Sequence, residues 1–213
     1  MELATRGAFS ITAAALKTQP AQPQWSLLKE QFSIRCHSGK LEFDLGAIGN
    51  GFALDRMAEV LCEWDCPAIL LVAGGSSILA GDAPPGTPGW SCGLGDDSSL
   101  QRYWLNNCSL SGSGLIVKGQ HILDPRTGRT GPRRFRAWAL ADTAAESDAL
   151  STAAMVLSEM EITGVVADNP GWLLFFARGK GTPLVWRAGV AIALRRRKAC
   201  FNVPANAKCS APR

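Results

Sequence analysis

Histidine is nearly absent. The 213-residue chain has two, His37 and His121, and neither stands at metal-site spacing from the seven cysteines at 36, 62, 66, 92, 108, 200 and 209. Cys62 and Cys66 are i,i+4 on an expected helix, but nothing nearby completes a zinc set. Reduced, mostly buried thiols are the expectation. No apolar run approaches the roughly 20 residues of a membrane-spanning helix. The opening MELATRGAFSITAAALK lacks the basic start and long apolar core of a secretion signal. There is no internal repeat. Acids are missing altogether after Asp168.

That last absence splits the charge. Residues 1–168 hold 13 basic and 18 acidic side chains, while the rest holds nine Lys/Arg and no acid. A basic tail can contact nucleic acid or anionic lipid. An irregular C-terminal extension over 178–213 is the simpler expectation, and no nucleic-acid partner is expected. The remaining composition, 46% hydrophobic and 19% charged, is that of a globular domain with one good core.

Three glycines, Gly46, Gly49 and Gly51, crowd DLGAIGNGFALDR at 44–56. Glycine lets backbone approach a ligand closely, and a helix starting after such a turn presents unpaired N–H groups that suit a phosphate. Gly39–Leu45 reads as a strand feeding this turn and Gly51–Trp64 as the helix leaving it. Ala68–Ala73 (AILLVA) is wholly apolar, as expected of a strand buried on both faces. Trp90–Leu94, Arg102–Leu105 and Ser109–Gly112 read as a meander. Phe135–Leu140, Val165–Ala167 and Trp172–Ala177 read as further strands. Asp142–Leu157 is the strongest helix pattern, opened by Asp142. Helices alternating with strands of both kinds predict a single domain, α+β or mixed α/β.

Asp148, Ser151 and Thr152 can share one helix face. One carboxylate and two hydroxyls are hard oxygen ligands suited to Mg²⁺; taken alone, such a set is more often a solvated or locally bonded face. His121 begins HILDPRTG beside a turn and can act as a base near neutral pH, or be structural. Asp124 and Arg126 in that turn can meet phosphate or pair with each other. Ser111 and Ser113 in LSGSG lack the helix that a GxSxG elbow requires and read as a turn or a substrate-side loop. Residues 46–51 read G-x-x-G-x-G, not the dinucleotide fingerprint.

Together these segments resemble the ApbE-type FAD:protein FMN transferases. GAF at 7–9 resembles the family's GAFD-type segment. DLGAIGNGFALD resembles its DLGGIAKGYAVD-type motif. LLVAGGSS resembles its strand ending in Gly-Gly. LSGSG followed by HILDPRTG resembles its SG turn and S-H-I-I-D-P-R-T-G signature, and Ala144–Leu157, with DALST inside, resembles its A-D-A-L-A-T-A helix. The order is the same, and the resemblance spans about residues 7–177.

The resemblance implies a single ApbE-like, T-fold-like domain over 1–177, with a mixed sheet and packed helices. It implies Mg²⁺-dependent transfer of FMN from FAD to a Thr or Ser hydroxyl of an acceptor flavoprotein, with release of AMP. Mg²⁺-dependent FAD hydrolysis and a non-catalytic flavin-binding fragment are the alternatives. Carried over by position, Asp148, Ser151, Thr152 and the carbonyl of Ala47 hold Mg²⁺. Ala8, Phe9, Ser10, Asp44, Asn50 and Leu123 contact the flavin nucleotide, and His121 assists deprotonation of the acceptor. Asn50 stands where the family often has Lys or Glu, and Ser10 where it often has Asp. Family members also carry an N-terminal segment without counterpart here. They usually act outside the cytoplasm, often membrane-anchored.

Overall fold

The computed structural model describes residues 1–94, 101–115, 122–177, 184–187 and 190–193, the last two stretches and Gln101 as backbone only. A seven-stranded sheet organises them, in the spatial order β13-β12-β11-β10-β7-β4-β3. Its strands are β3 (Leu70–Ala73), β4 (Ser77–Ala80), β7 (Cys108–Gly114), β10 (Arg136–Ala141), β11 (Leu173–Ala177), β12 (Leu184–Arg187) and β13 (Val190–Ala193). A hairpin of β1 (Gln24–Leu28) and β2 (Ser33–Ser38) stands apart, as do the pairs β5 (Trp90–Leu94) with β6 (Gln101–Leu105) and β8 (Leu123–Asp124) with β9 (Arg129–Thr130). The helices are α1 (Gly49–Glu63), α2 (Ala144–Val156) and α3 (Glu159–Asp168).

This is the expected α+β class. Within the main sheet, however, every described pairing is antiparallel rather than mixed. Hairpins and helical returns that reverse direction leave no parallel neighbours.

The sheet has two covered faces. Ala137, Ala139 and Ala141 alternate along β10 and are fully buried under α2. Their small side chains let the helix lie close, and Leu150, Ala153, Ala154 and Met155 fill the interface with Ile162 and Val166 of α3. Each of the large side chains here contributes about 2 kcal/mol by leaving water. The alternate residues Leu110, Leu140, Leu173 and Phe175 point to the other face. There they pack against Leu94, Tyr103 and Leu105 of the β5–β6 hairpin, with Tyr103 and Phe175 meeting edge to face at 5.6 Å.

Several sequence expectations need correction. Ala68–Ala73 is not buried on both faces: β3 is the sheet's edge, with Leu70 and Val72 exposed and the alternate residues Ile69, Leu71 and Ala73 packed beneath α1. Val165–Ala167 lies inside α3, because Ser158 and Glu161 form a capping box that starts a helix there. Residues 40–45 carry no strand; Gly39 turns at φ +77 and Lys40 N–H donates to the Gln19 side chain instead. Thr143, not Asp142, caps α2. Part of the tail expected to be irregular forms β12 and β13, where apolar LVWR and VAIA extend the open edge of β11. Of the five described cysteines only Cys92 and Cys108 are buried; Cys36 and Cys66 are exposed. Burial raises the Cys92 thiol and pushes the Cys108 thiol up to about 11, which disfavours the reactive thiolate at both. Among the described residues no helix is long and apolar enough to cross a membrane.

Candidate functional site

The site grows from the contact between α1 and α2. Gly51, in the first turn of α1, lies so close to α2 that a Cβ there would stand 2.1 Å from the Ala144 carbonyl oxygen. Its N–H donates to Asp148 Oδ2 at 3.1 Å. Four residues further along α1, the Asp55 carboxylate accepts from both Ala144 N–H (2.7 Å) and Ala145 N–H (2.9 Å). It thereby satisfies two orphan donors and the positive end of the α2 dipole. At the opposite end of α2, Arg134 donates to the carbonyls of Ala154 and Leu157, and Arg133 to that of Val156. α2 is thus held by an acid at its start and bases at its finish.

A ladder of hydroxyls joins α2 to β7. Ser109, Ser111 and Ser113 alternate on one face of the strand. Ser147 and Ser151, one helical turn apart, meet them. Ser147 Oγ lies 2.9 Å from Ser109 Oγ and 2.8 Å from Ser111 Oγ. Ser113 Oγ bridges Ser151 Oγ at 2.8 Å and Thr152 Oγ1 at 3.1 Å. LSGSG is therefore strand throughout, not a loop, and its serines bond to the helix.

Asp148 is only 6% exposed. Desolvation pushes its carboxyl above the ordinary carboxylate value, opposed by the Gly51 N–H and the Ser77 hydroxyl. Ser77 is fully buried and its Oγ makes no hydrogen bond of good geometry. A desolvated carboxylate beside an undersatisfied hydroxyl fits a cation that would supply the missing partner. Among the described residues no three His, Cys, Asp or Glu side chains cluster. A cation here would draw on one carboxylate and neighbouring hydroxyls, a hard oxygen set that suits Mg²⁺.

The remaining candidates fall into two groups. Ala47 precedes α1 by a few residues and packs, partly buried, on the same core as Ala8 and Phe9. Asn50, exposed, lies against Gly74 of the Gly-Gly turn, whose Cβ would sit 3.1 Å from Asn50 Nδ2. Asp44 accepts from Gly46 N–H at 2.9 Å, and its own N–H donates to Ile11 O at 2.7 Å. Ser10 Oγ donates to Gln22 Oε1, and Gln22 Nε2 donates to Pro125 O. Gln22 thus ties the GAF segment to the turn that begins at half-buried Leu123. Ala8, Phe9 and Ser10 are themselves buried. His121 lies outside the described residues.

Asp124 and Arg126 pair with each other: Arg126 donates to both Asp124 oxygens at 2.9 and 2.7 Å and also reaches Glu161. Desolvation alone would raise the Asp124 carboxyl, but the Arg126 hydrogen bonds and charge outweigh it and the net shift is downward. Arg126 is therefore a brace between the turn and α3. A cleft of about 320 Å³ opens with a floor of Ile78, Leu110 and Trp138. That floor belongs to the sheet face opposite α2, while Ser111 and Ser113 in the cleft's lining are strand serines whose hydroxyls meet α2.

From sequence Ser113 reads as a turn or substrate-side residue, not as a strand hydroxyl bonded to α2, and Ser77, Asp55 and the Arg133–Arg134 pair are not singled out. The period-2 serines opposite an i,i+4 serine pair were the available signal for the first. The others depend on long-range contacts that no local pattern encodes.

A sequence model of the ApbE family matches residues 3–175. FAD:protein FMN transferases from Klebsiella pneumoniae (strain 342) and Escherichia coli (strain K12) are each 26% identical, over 121 and 140 residues. Those alignments cover 50% and 59% of this chain and 36% and 40% of the relatives. The chain thus aligns with about two fifths of the length of these curated relatives. Among solved structures, the Pseudomonas stutzeri flavinyl transferase ApbE, in its apo form, superposes with a TM-score of 0.70 at 20% identity, over 88% of this chain and 69% of that one. The Thermotoga maritima ApbE protein gives 0.69 at 23% identity, over 88% and 72%. These likenesses show a shared fold.

Proposed function

Because the chain belongs to the ApbE family, we propose that it transfers FMN from FAD to a Thr or Ser hydroxyl of an acceptor flavoprotein, releases AMP and depends on Mg²⁺. The name of the relatives, FAD:protein FMN transferase, supports flavin transfer in general. The observation that carries the reading for this chain is the buried Asp148 carboxylate, fixed by Gly51 N–H one helical turn before Ser151 and Thr152, which Ser113 meets from β7.

In the reaction, the P–O bond linking the FMN phosphoryl group to AMP breaks, and its electron pair leaves with AMP. A P–O bond forms to the acceptor oxygen, whose proton passes to a base. When bound, Mg²⁺ neutralises pyrophosphate charge and favours in-line attack. Asp148, Ser151, Thr152 and the Ala47 carbonyl would hold it. The first turn of α1 adds the positive end of its dipole to the phosphates. Asp44, Asn50, Leu123 and the Ala8–Ser10 segment would orient the flavin nucleotide, and His121 would take the hydroxyl proton.

The test is to incubate the full chain with FAD, Mg²⁺ and an acceptor flavoprotein domain, then to weigh the acceptor by intact-mass spectrometry. The acceptor is expected to gain the mass of an FMN phosphoester, with stoichiometric AMP. Free FMN and AMP with unmodified acceptor would show hydrolysis in place of transfer, and unchanged FAD would contradict both.

A further inference from the structure

The outward face of α1 has no covering. Ala53, Met57, Val60 and Trp64 follow the 4-3-4 spacing of a coiled-coil seam, and all four are exposed. Trp64 is 76% exposed, and Met57 and Val60 about half. With Phe52 alongside, the apolar surface shown to water is on the order of 400 Å², at the upper end of what a monomer carries. Amphipathic surface helices put such a stripe toward the core. Here the inward stripe, Gly51, Leu54 and Ala58, is a second and separate one.

The charges beside the seam point to the occupant. In heptad terms Arg56 and Glu63 occupy the two g positions, on the flank away from inward-facing Leu54 and Leu61. In an antiparallel two-stranded seam, g residues of one helix face g residues of the other. A two-fold axis that sets Met57 against Val60 of a second copy also sets Ala53 against its Trp64, small against large. The same axis brings Arg56 to Glu63 of the second copy and Glu63 to its Arg56. Seam and charges fall into one register. Within the chain Arg56 pairs with Glu59 and lies over the Phe52 ring, while no ion pair engages Glu63 among the described residues.

We propose that α1 is a self-association surface, on which a second copy of this chain packs its own α1 antiparallel across a two-fold axis. The partner is a copy because the seam is self-complementary in shape and in charge. The buried area is below that of a permanent dimer, so the association is one that dissociates on dilution. The inference is independent of the flavin chemistry.

Sedimentation velocity of the full chain over roughly 1–200 µM reads the association. Wild type is expected to shift from monomer to dimer with concentration, and Val60→Glu to stay monomeric with an unchanged circular dichroism spectrum. The charges give the sharper test. Arg56→Glu and Glu63→Arg each make both cross-axis pairs repulsive, so each alone is expected to dimerise at least tenfold more weakly. Mixed in equal amounts, the two restore both attractive pairs and are expected to form a heterodimer. Wild type monomeric throughout the range overturns the proposal, whatever else covers the face. So does a dimer that survives Val60→Glu, or a mixture that fails to associate.

Discussion

α1 and α2 meet at the site, and they are built in opposite ways. Ten of the 13 residues of α2 are buried, against two of 15 in α1. α2 is fixed at its start by Asp55 and Thr143, at its finish by Arg133 and Arg134, and along its length by the serine ladder. α1 is located chiefly by its first turns, where Gly51 and Asp55 touch α2. A buried carboxylate such as Asp148 needs the first kind of helix, since only an over-determined frame keeps a desolvated charge in place. The turn proposed to admit a nucleotide leads into the second kind, anchored at one end and open around it.

The contrast can be broken where the helices touch. Gly51→Val places side-chain atoms inside the Ala144 peptide. It should destabilise the fold by more than about 3 kcal/mol and abolish any Mg²⁺-dependent activity, as read by urea denaturation and FAD turnover. Asp55→Ala removes the acceptor of two α2 N–H groups. A loss of about 1–2 kcal/mol is expected, with activity reduced because α2 no longer holds its register.

Asp148→Asn sharpens the comparison in the other direction. Burial raises the Asp148 carboxyl above its ordinary value, so the fold disfavours the ionised form. At neutral pH that charge lowers the stability of the metal-free protein, and protonation restores it as pH falls through the raised value. The variant should therefore melt a few degrees higher than wild type without metal at pH 7. The gap should close in acid and reverse when saturating Mg²⁺ stabilises wild type alone. By the same sign, Mg²⁺ affinity should weaken below neutrality earlier than an exposed aspartate would dictate. The smallest effect belongs to the open face of α1: Val60→Ala should change monomer stability by less than about 0.5 kcal/mol.

Legibility in sequence followed the same division. The sequence pattern located α1, α2 and the strands β5, β7, β10 and β11 to within a few residues, although β11 is buried throughout and α2 almost so. It failed for AILLVA, where six apolar residues in a row hide the fact that β3 ends the sheet. It failed again for Val165–Ala167, where a capping box outweighed β-branched side chains. Asp148, Ser151 and Thr152 were visible as one helix face, but their surroundings were not. Ser113 reaches them from 38 residues away in the chain, and Gly51 from 97. The backbone role of Ala47 came from resemblance alone, since a carbonyl ligand leaves no side-chain signature.

The central claim is that this buried carboxylate holds the cation on which flavin transfer depends. Asp148→Ala tests it most directly, with wild type run beside it at saturating FAD, Mg²⁺ and acceptor and FMN on the acceptor counted by mass. The account predicts an acceptor flavinylated by wild type and left unmodified by a variant whose circular dichroism spectrum is native. A folded Asp148→Ala protein that transfers FMN at the full Mg²⁺-dependent rate would contradict it.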